Sequence, residues 1–418
     1  MTTRLLGYPE IEARVGAPVA AVVFGCGNFQ GLAVMRGLGR CGIPVIAVAK
    51  AGGVGLRSRY ATEVWNVPDT HADPEGVLEV VREIGARLTQ QGRRGVLIPT
   101  QDSTVELLSR NRHRLQESLI CHLPDDAVIQ ACSDKQVQCR LARSLGVPLP
   151  NTFFEDEREQ LLAALASGAQ GFPLVFKSRK ELPPAIRKKF RVIVINDLDE
   201  LDTVLAEAEA AGVSYLVQDV IPGGDDELYT FGSYMDRAGT LQAWFTGRKL
   251  RQQPPRFGVC RVGESKRVDV IVGDGVKLLR GLGYFGISQV EFKHDARDGR
   301  YKLIEVNPRA WAWVALPIGM HVNLAYAFFC DALGLELPFQ PMPEIKGAYI
   351  SLFDDLYWSL KARDGRPWAH LFRGYDLIVE AYYAPDDRLP GLINFKRRTG
   401  DFASSAVKAV LRRFRTGP

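Results

Sequence analysis

The pattern of apolar residues changes character once along this chain, and that change limits the folds open to it. Up to about residue 150, short apolar runs alternate with helical stretches. Val19–Phe24, Ile43–Ala49 and Gly95–Pro99 read as buried strands, with helices predicted to about Cys41 and over Thr104–Glu117. Strands that alternate with helices form a parallel sheet covered on both faces. From residue 172 strands follow one another instead: Pro173–Lys177, Arg191–Asn196, Tyr215–Ile221, then the hairpin Leu228–Asp236 and Thr240–Arg248. Helices are predicted over Leu198–Ala211 and Gly275–Leu282, and a last hairpin pairs Ser288–His294 with Tyr301–Val306. This second part reads as antiparallel α+β, so the class is α/β followed by α+β.

A chain of 418 residues is too long for one ordinary core, which implies several domains. Its 46% hydrophobic and 24% charged residues are those of a folded globular protein. A net charge of +5 makes no case for nucleic acid, and none is expected as a partner. The seven cysteines, at 26, 41, 121, 132, 139, 260 and 330, contain no CxxC pair. They read as reduced thiols of a cytoplasmic protein, neither a disulfide framework nor a zinc site. No secretory signal is expected at the N-terminus, because the apolar run after Arg4 is cut short by Pro9 and Glu10. The most apolar stretch, Ala310–Leu337, is interrupted by Pro317, Gly319, His321, Asn323 and Asp331 and reads as core.

The turn Gly25-Cys26-Gly27-Asn28-Phe29-Gln30-Gly31 follows the first strand and opens a helix, which is the context of a dinucleotide site. Its spacing is GxGxxxG, however, and the second strand ends in Val48-Ala49-Lys50 with no acid for a ribose. A tight turn bordering a substrate cleft is the better reading. Asn28, and Asp102 after the Gly95–Pro99 strand, become substrate candidates there, against the alternative that both form turns. Further on, Ser133-Asp134-Lys135-Gln136 reads as a capping box with Ser133 as the cap. A lysine in the first helical turn opposes the helix dipole unless an anion sits nearby.

The last hairpin carries the chemistry. Within Glu305-Val306-Asn307 the period of two puts both oxygen donors on one face, and Glu291 joins them if the register allows. Carboxylates among Val, Ile and Phe need partners, and hard oxygen donors with open positions suit Mg²⁺ held together with a nucleotide phosphate. The competing reading pairs these acids with Lys293 or Lys302 on a solvated face.

Several signatures now stand in one order: Lys135 after Ser-Asp, Lys177 ending Pro-Leu-Val-Phe-Lys, Val217–Gly223, Glu291, and Glu305-x-Asn307-Pro-Arg309. Over about residues 18–335 this set resembles the ATP-grasp superfamily, which also includes carbamoyl phosphate synthetase and biotin carboxylase. Phe245–Pro255 resembles a stretch of D-aspartate-ligase-like carboxylate–amine ligases. The resemblance implies a Rossmann-like N-terminal domain over 1–125 and a small lobe with linker helix over 126–222. A large lobe with the metal site would span 223–340, and a C-terminal extension 341–418. It implies ATP and Mg²⁺ as cofactors, with Mn²⁺ as a substitute. Lys135 and Lys177 would contact phosphates, Gln218, Asp219 and Val220 the adenine through their backbone, and Asp225 the ribose. Glu291, Glu305 and Asn307 would hold the metal, while Arg309 steadies an acyl phosphate or anionic intermediate. Arg248, Lys249 and Arg251 would clamp an anionic substrate or phosphate. Where relatives carry a glycine-rich loop, Arg179, Lys188 and Lys189 offer side-chain charge.

The activity implied is amide formation between a small-molecule carboxylate and an amine, with ADP and phosphate as products. Alternatives are a bicarbonate-activating enzyme and a non-catalytic ATP-binding protein. The tail from Lys396 to Arg415 carries seven Lys/Arg against one acid with apolar residues at helical spacing. Such a helix packs on its own protein, at a homodimer seam, or on an anionic membrane surface.

Overall fold

The computed structural model describes residues 5–336, 339–362, 366–372 and 374–400. The N-terminal region forms a parallel sheet of β1 (Val19–Phe24), β2 (Val45–Ala49), β3 (Ala61–Asn66) and β4 (Arg94–Pro99), in the order β3-β2-β1-β4. Every residue of β1 and β2 is buried, as expected of strands covered on both faces. β3, which the sequence pattern did not reveal, is an edge strand whose residues alternate between partly covered and exposed. The chain leaves β1 toward β2 on one side while β4 lies on the other, so the carboxyl ends of β1 and β4 flank a topological switch point. The helix expected over Thr104–Glu117 spans only Asp102–Arg110; the Asn111 side chain bonds back to the Leu107 carbonyl at 2.9 Å, and a short 3₁₀ turn follows.

A second sheet is antiparallel: β5 (Thr152–Phe154), β6 (Leu174–Ser178), β7 (Val192–Ile195) and β8 (Tyr215–Asp219), in the order β5-β8-β6-β7. With the helices Arg158–Ala166 and Leu198–Ala210 it encloses a core of its own, built on Leu161, Leu174, Phe176, Leu201, Leu205 and Val217.

The third sheet has seven strands. β9 (Leu228–Met235), β10 (Leu241–Gln253), β11 (Val259–Ser265), β12 (Gly286–Asp295), β13 (Arg300–Asn307), β14 (Gly347–Ile350) and β15 (Leu377–Glu380) lie in the order β13-β12-β9-β10-β11-β14-β15. Two of its strands, β14 and β15, come from the segment expected as a C-terminal extension. β14 pairs with β11 through Val262↔Ile350, and β15 with β14, which covers an edge that would otherwise stay open. One continuous core joins this sheet to the N-terminal domain, from Val22 and Leu32 to Trp311, Trp313 and Phe329. The second sheet and its helices thus pack on a core separate from this one.

After β15 the chain crosses back to the N-terminal domain. Asp387 accepts from Arg36 at 2.9 Å and from Ser58 at 2.7 Å, and Asp386 from Arg40 at 2.8 Å and Tyr60 at 2.7 Å. Residues 389–400 are helical; most of the basic tail expected over 396–415 lies outside the described residues. All seven cysteines are free. Among the described residues no helix is long and apolar enough to cross a membrane.

Candidate active site

The β12–β13 register sets Glu291 directly opposite Glu305 and Gln289 opposite Asn307. Because side chains alternate along a strand, all four project from one sheet face. The strand lysines do not neutralise them: Lys293 donates to the carbonyls of Ile221 and Gly223, and Lys302 pairs with Asp295 at 2.7 Å. Lys249, reaching across from β10, lies 2.7 Å from Glu291 Oε1 and 2.9 Å from Oε2. Gln289 Nε2 donates to Glu291 at 2.8 Å and to Thr230 at 3.0 Å, and Asn307 Nδ2 donates to Glu305 at 3.0 Å. Burial raises the Glu291 carboxyl despite Lys249, while Lys249, opposed by burial, is held charged by Glu291. Burial also opposes the charge of Glu305, but Lys135, the Asn307 amide, Lys249 and Lys177 outweigh it and hold this carboxyl below the usual range.

Two lysines come from the small-lobe side. Lys177, near the end of β6 and 8% exposed, has its ammonium lowered by burial, with Cys139 and Glu305 acting in the opposite sense. Lys135 begins the helix Lys135–Ser144, whose cap is Asp134 rather than Ser133. Ser133 is consumed as the last residue of the preceding helix, Asp126–Ser133, and the Asp134 carboxylate accepts from the N–H groups of Gln136 and Val137. Asp134 also binds Arg179 at 2.7 Å, and Lys189 pairs with Glu207 at 3.0 Å. The Lys188 side chain is outside what is described.

On the third side stands Arg309, immediately beyond β13. Its Nε lies 2.7 Å from Asp102 Oδ1, off the hydrogen-bonding axis, and one of its terminal nitrogens donates to the Ala310 carbonyl at 3.0 Å. Burial opposes its charge, and Asp102, Glu305 and Glu291 more than restore it. Asp102 opens the helix after β4, at the switch point. The glycine turn sits beside it. Gly25 has φ +89°, and a side chain at Gly31 would lie 2.4 Å from Cys26 Cα, so close packing of backbone explains these glycines. Asn28 caps the following helix, accepting from the Gly31 N–H at 3.1 Å, and so acts as the turn former of the two alternatives.

The remaining expected residues fall elsewhere. Arg248 points to the opposite side of β10 from Lys249 and pairs with Glu264 at 2.6 Å, since adjacent strand residues cannot share a face. Arg251, beyond a bulge, is buried on Asp355 and Ser359, both at 2.9 Å, and Asp355 also takes Arg261. That cluster holds β10 and β11 against the helix Leu352–Ala362 and leaves Arg251 no reach toward the carboxylates. Asp225 accepts from the Gln252 N–H at 2.8 Å, the Gln252 side chain at 2.9 Å and the Arg256 N–H at 3.0 Å. It thereby orients Gln252, which accepts from Lys249 at 3.2 Å. The N–H groups of Asp219 and Val220 donate to the carbonyls of Asn151 and Pro173 at 3.0 and 3.4 Å. Asp219 pairs with Arg297 at 3.1 Å. The Gln218 side chain differs: its Nε2 donates to Thr152 at 2.9 Å, and in this orientation its Oε1 is buried with no partner.

Gln289, Gln252, Thr230 and Asp134 had not been singled out from sequence. The strand alternation itself marks Gln289, which stands two residues before Glu291 on the same face. The others depend on neighbouring strands or on a competing helix end.

The donor set fits a divalent cation bound with a polyphosphate. Two facing carboxylates and an amide oxygen are hard ligands, and four cations (Lys135, Lys177, Lys249 and Arg309) surround three acids. Among the described residues no cluster of three His, Cys, Asp or Glu forms a closed metal cage, so further ligands would come from Asn307 and phosphate. The orphaned Gln218 acceptor fits a donor such as an adenine amino group.

No family model matches the chain. It is 24% identical over 270 residues to a D-aspartate ligase of Enterococcus faecium (strain Aus0004), a stretch covering 60% of this chain and 62% of that relative. The chain thus spans less than two thirds of that relative's length. Its structure is similar to that of an L-amino acid ligase from Bacillus licheniformis, with TM-score 0.54 and 16% identity over 76% of this chain and 74% of the other. It is also similar to the biotin carboxylase domain of a 2-oxoglutarate carboxylase from Hydrogenobacter thermophilus, solved with MgADP, ADP and bicarbonate. There the TM-score is 0.59, with 17% identity over 79% of this chain and 73% of the other. The chain therefore has the ATP-grasp fold that those structures share, and in sequence it resembles D-aspartate ligase.

Proposed function

We propose that this chain is an ATP- and Mg²⁺-dependent carboxylate–amine ligase, which forms an amide through an acyl phosphate and releases ADP and phosphate. The observation that carries this reading is the facing pair Glu291 and Glu305, with Asn307 on the same face, ringed by Lys135, Lys177, Lys249 and Arg309. When bound, Mg²⁺ would neutralise phosphate charge, held by Glu291, Glu305 and Asn307. Phosphoryl transfer asks of a protein mainly positioning and charge neutralisation, which these side chains supply. Lys177 and Lys135 face Glu305 from the small lobe, placing two cations where transferred phosphate charge must be balanced. A carboxylate is a poor electrophile, and phosphorylation supplies its leaving group. Attack by the amine then builds an oxyanion, and Arg309, fixed by Asp102, is aimed at the sheet face where that charge would develop.

Asp102 and the glycine turn lie at the switch point of the parallel sheet, which supports placing a substrate there. The likeness to D-aspartate ligase and to an L-amino acid ligase supports an amino acid as one substrate. The reading is tested by an ADP-release screen of amino acids against carboxylic acids in pairs, with Mg²⁺ present. ADP formation that needs both partners, with an amide among the products, is the expected result. ADP release driven by bicarbonate without an amine would overturn it in favour of bicarbonate activation.

A further inference from the structure

A glutamine amide carries an acceptor at one corner and a donor at the other, so it selects a ligand only when its orientation is fixed. Gln218 is 1% exposed and stands on β8 directly opposite Thr152 of β5 and Val175 of β6. Alternation along these strands puts it on the sheet face that carries Lys177, the reverse of the face where Phe176 and Val217 join the core. Lys177 pairs with Leu216, two residues from Gln218, so the amide lies about 7 Å along the sheet from that lysine. A base near Gln218 and phosphates near Lys177 thus share one surface.

Thr152 fixes the amide. Its hydroxyl donates to the Pro150 carbonyl at 2.7 Å, and a carbonyl can only accept. The single hydroxyl proton is thereby committed, and what Thr152 Oγ1 still offers Gln218 is a lone pair. Only the NH2 corner can meet it. Gln218 Nε2 donates to Thr152 Oγ1 at 2.9 Å, with Cys139 Sγ as a second, weaker acceptor at 3.8 Å. The reversed amide would set Oε1 against an oxygen that has no proton to give. With both amide protons engaged, what remains of Gln218 is Oε1, buried and without a partner. A buried acceptor left open in this way calls for a donor from a ligand.

A purine is read there at C6. Adenine carries an amino group at that position, which satisfies Oε1, whereas a 6-oxopurine would bring a second acceptor against it. A carboxylate at 218 would present an acceptor either way round; an amide needs the lock, and without it would turn over to offer N–H to the 6-oxo group. We infer that Thr152 is the specificity-determining residue that makes this site select adenine over 6-oxopurine nucleotides, by holding the Gln218 acceptor toward the base. The inference rests on the ligase reading for the nucleotide itself, and adds what chooses its base.

The test is calorimetric titration of the full chain with MgADP and with MgIDP, whose bases differ at C6, and it needs neither carboxylate nor amine substrate. Wild type should bind MgADP roughly ten- to a hundredfold more tightly, because the wrong base leaves a buried acceptor unpaired. Thr152→Val keeps the shape and removes the hydroxyl, and the preference should fall to about threefold or less. Thr152→Ser retains the hydroxyl and should keep the wild-type ratio. If Thr152→Val does not fold, Thr152→Ala takes its place with the same expected loss. A purely structural Thr152 would weaken both nucleotides alike and leave the ratio intact, which would overturn the inference. Wild type that takes MgADP and MgIDP equally would overturn it too, with the ligase reading untouched. Wild type that binds neither nucleotide removes the ligase reading and this inference together.

Discussion

Arg309 Nε stands 2.7 Å from Asp102 Oδ1, linking the end of the strand that carries Glu305 and Asn307 to the first turn after β4 in the N-terminal domain. This ion pair aims the guanidinium at the carboxylate face instead of letting it swing toward solvent. Asp102→Asn keeps the shape and removes the charge. ADP formation at saturating substrate should fall roughly a hundredfold, because misplacing a charge-stabilising group by about an ångström costs that much. The KM for ATP should hold. An unchanged kcat would show that Asp102 does not position Arg309.

Glu305→Gln removes one of the two facing carboxylates while preserving size and the contact to Asn307. Mg²⁺-dependent ADP release should drop by about two to three orders of magnitude, with secondary structure and melting temperature retained. Steady-state assays across a Mg²⁺ titration decide this. Turnover like wild type would move the metal site away from β13.

Gln218→Met replaces a buried side-chain acceptor on β8 that has no partner. Losing a single neutral hydrogen bond should weaken ADP binding by about three- to tenfold, from roughly 0.5–1.5 kcal/mol. Calorimetric titration with MgADP would show it. Affinity that stays equal or improves would place the adenine elsewhere.

Asp355 is fully buried and takes both Arg251 and Arg261, besides the Trp368 N–H. Asp355→Ala leaves two arginines without their shared anion and should destabilise the protein by about 3–5 kcal/mol. Chemical denaturation would measure the loss. A change within about 0.5 kcal/mol would mean the arginines find other partners.

The acid limb of stability should depend on Asp295. Its carboxyl is held well below the usual range by Arg297, against burial, and by Lys302. A depressed folded-state value means that the stabilisation is full above the ordinary aspartate range, near pH 4, and is lost as pH falls toward the folded value. Denaturation midpoints between about pH 4 and pH 2 should therefore fall less steeply in Asp295→Asn than in wild type. Parallel slopes would remove Asp295 from the acid response.

Sequence alone determined those features that follow from local period. Alternation along a strand is a property of the backbone, so Glu305 and Asn307 had to share a face wherever β13 ended up, and Gln289 had to share one with Glu291. The order of strands and helices likewise marked a parallel domain followed by antiparallel lobes. Tertiary structure decided which strands meet and in what phase. Setting Glu291 opposite Glu305 required the β12–β13 register, and a bulge in β10 separated Lys249, turned to the carboxylates, from Arg251, sunk on Asp355. The cap passed to Asp134 because another helix had already taken Ser133. Asp102 met Arg309, 207 positions later in the chain, only because the two domains share one core. Period is local, whereas register, bulge phase and domain docking are set by packing between segments far apart in the chain, and that is where this site was assembled.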